Sequence, residues 1–334
     1  MKQRHQKLYV AAALLATLCW GGGMTLTKLA LVHIDPSPLL VIQLLSSIAF
    51  LVCMAPLLRV RLLPPRSASK RWWLGILEPG LAYFLGLEGL KRISASEAVV
   101  LSATESILVI ALACLFAKER PRGLVYVLAV IGAAGAVVVA GGRSSLHGQV
   151  LYIAGDALLV GGVLCAAAYV VLSSHFSSVT EPLSALIGQQ GAAAVFAVAM
   201  YILLGEHALP TRDITAAGWA LAVVSGIVQY GCAFWFYLWA LKGLSASVAG
   251  LFLNLIPVFG LLIAMPVLGD TLTPLQWLGA AMIIGSVSVL ALVGDGHKEN
   301  VPAKPAPESE SPTDAGRPIV GPIVLATDRP SSSR

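Results

Sequence analysis

Charge is what this chain has least of. Only 12% of its 334 residues are Asp, Glu, Lys or Arg, about half the share of a soluble domain. A globule so short of charge would turn large apolar patches to water, which excludes a soluble fold. Histidine is also scarce. His33, His147, His175 and His207 stand alone in turns, outside any metal or catalytic spacing. Five cysteines (Cys19, Cys53, Cys114, Cys165 and Cys232) all fall inside apolar runs with no CxxC pair. They read as small buried hydrophobes rather than redox or zinc ligands. No phosphate-binding glycine loop occurs, so no nucleotide or other cofactor is expected and coupling to ATP by this chain is excluded. The net charge of +5 is scattered over short loops, not gathered as nucleic-acid binding requires. An integral-membrane enzyme would need a His or acidic cluster near one interface. None is found, so the chain is not read as an enzyme.

What is present is apolar: 57% of residues, with a mean hydropathy of +0.83. In lipid the backbone must bond to itself, which leaves helices or closed barrels. Barrels show segments of about ten residues with period-two alternation. Here the runs are about 18–25 residues long and rich in Leu and Ala, so the fold class is an all-α integral membrane protein. Ten spans are predicted, over 8–32, 38–58, 72–90, 96–116, 122–141, 148–172, 182–204, 216–240, 244–267 and 274–294. The first is too long for a signal-peptide core and lacks an A-x-A site, so it is a retained span. Turns such as Asp35-Pro36-Ser37-Pro38, Pro64-Pro65-Arg66, Glu119-Arg120-Pro121 and Gly269-Asp270-Thr271 separate the runs. They leave no room for a soluble domain.

Lys and Arg set the orientation. With residues 1–7 in the cytoplasm, the inner segments hold twelve basic residues before the tail, from Lys2 to Lys242. The outer turns hold four: Lys91, Arg92, Arg143 and Arg212. This positive-inside bias puts both termini in the cytoplasm of a multi-pass protein of the inner cell membrane. Residues 295–334 are rich in Pro, Ser and charge and read as a disordered cytoplasmic tail.

The chain also repeats itself. Leu90-Lys91 and Ser94-Ala95-Ser96 recur as Leu241-Lys242 and Ser245-Ala246-Ser247, an offset of 151. The same offset sets Ser106 on Pro257 and Glu119 on Asp270. Two halves of five helices follow, 8–142 and 148–294. Because five is odd, the second half enters from the opposite side, and inverted halves mark alternating-access transporters.

Trp20-Gly21-Gly22-Gly23 followed by Lys28 resembles the Trp-Gly…Lys pattern of the drug/metabolite transporter superfamily, in its EamA family. Ser245-Ala246-Ser247, Pro257-Val258-Phe259, an acidic residue and Thr271-Leu272-Thr273-Pro274 resemble that family's second repeat. The resemblance covers about residues 8–294. It implies ten helices around a central cavity, alternating access, and export of metabolites or drugs. Ser106 stands where the family's first repeat usually has proline, Gln43 where arginine is common, and Asp270 in place of glutamate.

Polar groups inside the spans are the candidate substrate or coupling residues. A charge near mid-bilayer costs about 2.5–3.5 kcal/mol on insertion scales. Glu105 lies near the middle of the fourth span. A carboxyl at that depth suits proton binding and release, or else a structural hydrogen bond. Glu78 and Glu88 lie ten residues apart in the third span, about 15 Å along a continuous helix. Glu88 and Lys28 both fall toward the outer end, where they would pair as a lock or gate, unless Lys28 snorkels to the interface. Asp156 in the sixth span is ambiguous. Gln43, Gln229 and Asn254, with Trp20, Tyr83 and Tyr230, would line an apolar cavity for a zwitterionic or aromatic substrate, or tie helices together. Gln189, Gln190, Tyr169 and Trp235 belong to the same set. The reading is a secondary transporter that exports a small metabolite, an amino acid or similar, or a drug, with protons as a coupling ion. Its partners are that substrate and the bilayer, a homodimer is compatible with it, and no metal is expected. The competing reading is a non-transporting scaffold or sensor that acts through the tail.

Overall fold

The computed structural model describes residues 2–60, 71–90, 92, 101–139, 150–176, 181–203, 214–268 and 273–293. The turn Ser94-Ala95-Ser96, Asp270 and the tail from 295 lie outside them. Among the described residues all regular structure is helical. In chain order the elements are α1 (Lys2–Ala30), α2 (Pro36–Leu57), α3 (a π turn, Ile76–Leu81, continuing as Ala82–Leu90), α4 (Glu105–Phe116), α5 (Gly123–Val139), α6 (Val150–Phe176) and α7 (Pro182–Leu203). α8 joins Ala216–Gly226, a π turn at Ile227–Cys232 and Ala233–Ala240. α9 joins Ala246–Phe252, a 3-10 turn at Leu253–Leu255 and Ile256–Leu268, and α10 is Pro274–Val293.

Seven of the described helical stretches are long and apolar enough to cross a membrane, and three shorter apolar ones lie at Ile76–Gly86, Glu105–Phe116 and Gly123–Val139. Their outward faces carry bare Leu, Val and Phe, among them Leu115 and Phe116 at 70% exposure and Leu292 at 87%. Water would not tolerate such a surface; acyl chains do. Cys53 belongs to this exposed face, whereas the other four thiols are partly buried.

Local signals set the helix ends. Pro36, Pro182 and Pro274 each open a helix, where a missing N–H costs nothing. Thr273 and Gln276 form a capping box at α10: the Gln276 carbonyl accepts from the Thr273 amide at 3.0 Å, and the Thr273 hydroxyl accepts from the Gln276 amide at 3.3 Å. The Gln276 amide group also donates to the Val139 carbonyl at 3.1 Å, which ties the start of α10 to the end of α5. At α9 the N-cap is Ser245, and Glu119, in the segment after α4, accepts from the Ala246 and Ser247 amides at 3.0 and 3.1 Å. Lys118, beside it, takes a left-handed φ of 54° as the chain turns out of α4.

Inside the bundle, glycine sets the helix spacing. A Cβ on Gly21 would lie 2.6 Å from the Gly260 amide, and one on Gly23 would lie 2.6 Å from the Gln229 side chain. The glycine run after Trp20 thus seats α1 against α9 and α8. Gly135 and Gly279 bring α5 onto α10 in the same way, with a Cβ on Gly135 reaching the Gly279 carbonyl at 2.8 Å.

Two interruptions recur at one spacing. The π turns at Ile76–Leu81 and Ile227–Cys232 stand 151 residues apart, the offset of the sequence repeat. α4 resumes at Glu105 after a turn at Ala103 and Thr104, and α9 resumes at Ile256 after its 3-10 turn, again 151 residues on. Glycine precedes each π turn, at Gly75 and Gly226. A Cβ on Gly75 would collide with the Gln189 backbone of α7, and one on Gly226 would lie 2.5 Å from the Gln43 carbonyl of α2.

Candidate substrate site

Proline frees a backbone carbonyl and can bend a helix; the third span carries Pro79-Gly80, and it is broken one residue earlier, at Glu78. This residue is extended, with φ −148° and ψ 128°, and Pro79 follows it inside the π turn. A π turn frees backbone groups and redirects side chains, and such turns recur at functional sites. At this break Glu78 lies within electrostatic reach of Glu105 of α4. Both are partly buried. Glu88, ten residues on from Glu78 in the same span, is not part of this meeting. Glu88 is bonded to Arg92 at 2.8 Å, one helical turn away. Lys28 is exposed, one residue along from the inward-facing Thr27.

Aromatic side chains surround the two acids. Tyr83 of α3, Tyr169 of α6, and Tyr230 and Tyr237 of α8 all lie within the electrostatic reach of Glu78, and Tyr83 and Tyr237 also within that of Glu105. The Trp20 ring stands 5.1 Å from Phe234 and 5.1 Å from Tyr237, edge to face in both cases. Tyr83 and Tyr230 are 5.1 Å apart, and Tyr230 stacks on Phe234 at 6.4 Å. Phe234 and Tyr237 follow Tyr230 by one and two helical turns. That spacing, four and seven residues, is the signal in the sequence that marks them as one face. Tyr237 is only 1% exposed, and its hydroxyl has no hydrogen-bond partner among the described residues.

The amides divide into separate groups. Gln43 of α2 donates to Thr27 at 2.9 Å and to Ser225 at 2.8 Å, and Thr27 donates to Gln229 at 2.6 Å. This chain of bonds knits α1, α2 and α8, with Gln229 also beside the Tyr83 hydroxyl. Gln190 donates to the Tyr230 carbonyl at 2.6 Å, a group inside the π turn, and Tyr169 donates to Gln189 at 3.0 Å. Asn254 sits elsewhere. It is buried in the 3-10 turn of α9, where its amide nitrogen packs over Gly132 of α5, 2.5 Å from where a Cβ would stand. Asp156 lies partly buried on α6, near its start. Trp235, the residue after Phe234, is partly buried and stacks on Phe236 at 5.8 Å.

A small cleft, partly open to its surroundings, lies beside the aromatic cluster rather than within it. Arg71, Leu74, Ser173, Phe176, Gln189 and Leu238 line it, and the Arg71 guanidinium lies 4.4 Å over the Phe176 ring. The Tyr169–Gln189 bond joins this pocket to the surroundings of Glu78. Among the described residues no cluster of His, Cys, Asp and Glu could hold a metal ion.

Comparison with known proteins agrees with this architecture. The chain is 31% identical over 111 residues to an uncharacterized protein of Haemophilus influenzae, a stretch that is 33% of this chain and 85% of that one. A solved crystal structure superposes with a TM-score of 0.74 at 21% identity, over 85% of this chain and 96% of the other, which shows a shared fold. The EamA-like transporter family matches twice, over residues 7–141 and 153–292. With both stretches matched, the chain belongs to the EamA-like transporter family, whose members are membrane transporters of the drug/metabolite type.

Proposed function

We propose that this transporter is a ten-span secondary exporter of the inner cell membrane, built as two inverted five-helix halves around a central cavity, with both termini in the cytoplasm. Its cargo is a small metabolite such as an amino acid, or a drug, and Glu105 couples its movement to protons. The observation that carries this reading is the meeting of two broken helices at one polar, aromatic site. Glu78 stands in the π turn of α3, Gln229 and Tyr230 in the π turn of α8, and Glu105 at the point where α4 resumes. Discontinuous helices at the interface of two related halves are how alternating-access transporters build a site near mid-membrane. The pocket at Arg71 supports access from the end of the bundle where α1 begins, since Tyr9 of α1 pairs with Trp239 near the same end of α8 at 6.1 Å.

The test is flux. Purified protein in liposomes is given a labelled panel of amino acids, other metabolites and drugs, with and without a pH gradient. Gradient-dependent efflux is the expected result. Flux indifferent to pH would remove the coupling role of Glu105, and no flux across a broad panel would overturn the reading.

A further inference from the structure

Three hydrogen-bond donors line the cleft beside the aromatic cluster: Arg71 just before α3, Ser173 near the end of α6 and Gln189 in α7. The Arg71 guanidinium lies over the Phe176 ring, 4.4 Å from its centre, and has no carboxylate partner among the described residues. Glu181, the residue before Pro182 of the cleft, lies within reach of the Lys242 charge instead. Ser173 is 4% exposed, and its hydroxyl makes no hydrogen bond among the described residues. The Tyr169 hydroxyl, one turn back on α6, donates to the Gln189 side-chain oxygen at 3.0 Å. That bond occupies the acceptor end of Gln189 and leaves its N–H2 group to donate. A buried hydroxyl is rarely left without a partner. Donors of this kind, one of them charged and with no acid lining the cleft, make a site for an oxyanion.

Depth and size say which oxyanion. Trp73, two residues from Arg71, is exposed on the outside of the bundle, and so is Trp239, which pairs with Tyr9 at the same end. Tryptophan collects at the headgroup level of a bilayer, so Arg71 stands at the depth of the lipid phosphates. Leu74, Phe176, Pro182 and Leu238 make the rest of the lining apolar, a wall suited to the glycerol and first acyl carbons of a lipid. The cleft is small and partly open, unlike the enclosed pockets that hold whole ligands. Basic pockets between spanning helices hold anionic lipid headgroups.

We propose that Arg71, Ser173 and Gln189 bind the phosphate of an anionic phospholipid from the leaflet at the end of the bundle where α1 begins. The guanidinium supplies the charge, and the Ser173 hydroxyl and Gln189 amide supply hydrogen bonds. A lipid seated there ties the starts of α3 and α7 to the end of α6. The site stands whether or not the chain transports; that the leaflet is the cytoplasmic one rests on the orientation proposed above.

Native mass spectrometry of the purified full chain in detergent tests it, with phosphatidylglycerol as probe and the zwitterionic phosphatidylcholine as control. Phosphatidylglycerol should bind the wild-type chain more tightly than phosphatidylcholine does. Arg71→Gln, checked as monodisperse, should weaken phosphatidylglycerol about fivefold, the effect of one basic residue at a membrane surface, and leave phosphatidylcholine unchanged. Ser173→Ala should weaken it about two- to tenfold with no change of charge, as loss of one hydrogen bond does. Lys7→Gln removes an exposed cation at the same end and should change nothing. Glycerol phosphate in large excess should not displace the lipid. If Arg71→Gln fails to fold, Ser173→Ala and the comparison of the two lipids decide. Equal binding of the two lipids, an equal loss in Lys7→Gln, or unchanged binding by the folded Arg71→Gln or by Ser173→Ala would overturn the site. Displacement by glycerol phosphate would overturn the lipid and leave a site for a free phosphate.

Discussion

The hydroxyl of Ser247 donates to the carboxylate of Glu119 at 2.6 Å, joining residues 128 apart in the chain. With the Ala246 and Ser247 amides on the same carboxylate, Glu119 satisfies donors that the start of α9 would otherwise leave bare. Caps of this kind are worth about 0.5–2 kcal/mol, and bonds to a charged group about 1.5–3. Glu119→Ala should therefore destabilise the protein by about 2–3 kcal/mol, with Glu119→Gln intermediate. Unfolding in SDS, followed by tryptophan fluorescence, checks the order. An unchanged midpoint in Glu119→Ala would show the contact to be idle.

Gly226→Ala should cost about 1–3 kcal/mol, the usual penalty for overpacking a tight contact. The new Cβ would meet the Gln43 backbone at 2.5–2.6 Å, where no flexible side chain can yield. Gly86→Ala is the control, since nothing lies within 4 Å of its Cβ position. The same SDS titration should separate the two variants clearly.

Gln43→Leu asks whether an amide in the membrane is glue or cargo site. Gln43 is 2% exposed and spends its donors on Thr27 and Ser225. At about 0.6 kcal/mol for each interhelical bond, its loss should cost about 1 kcal/mol. Flux should be retained, because the Gln43 bonds lead toward the site through Thr27 and Gln229 rather than to either acid. Abolished flux with normal stability would place Gln43 at the substrate.

Glu105→Gln should insert and fold normally and lose proton-dependent flux. Full gradient-dependent transport in liposomes containing this variant would retire Glu105 as the coupling residue.

Truncation after Gly294 separates transport from a scaffold role. The second family match ends at residue 292, so the shortened chain should transport at the full rate. A tail-borne function would vanish while the purified protein stayed intact, which a flux assay on the truncated chain resolves.

Much of the fold can be read directly from the sequence. Apolar runs bounded by Pro36, Pro182 and Pro274 place helix starts within a residue or two, because proline at those positions is cheap only at a first turn. The offset of 151 anticipates both sets of breaks. The first break is signalled by Pro79-Gly80, whereas the second, at Ile227–Cys232, sits without proline inside an apolar run whose hydropathy is blind to one extra residue in a turn. Of the candidate residues, Trp20, Tyr83, Tyr230, Glu78 and Glu105 converge. Their convergence depends on which helix packs on which, and no local period carries that. Glu88, Lys28, Gln43 and Asn254 go elsewhere for the same reason: depth in the membrane is legible from position in a run, but azimuth around a kinked helix is not. Tyr237 was within reach of sequence reasoning, through its spacing from Tyr230.

The matching breaks also have matching anchors. Each follows a glycine pressed onto a neighbouring helix, Gly75 on the Gln189 backbone of α7 and Gly226 on the Gln43 backbone of α2. A side chain at either glycine would push the broken segment off its neighbour, so the irregular turn in each half is moored by backbone contact on its leading side.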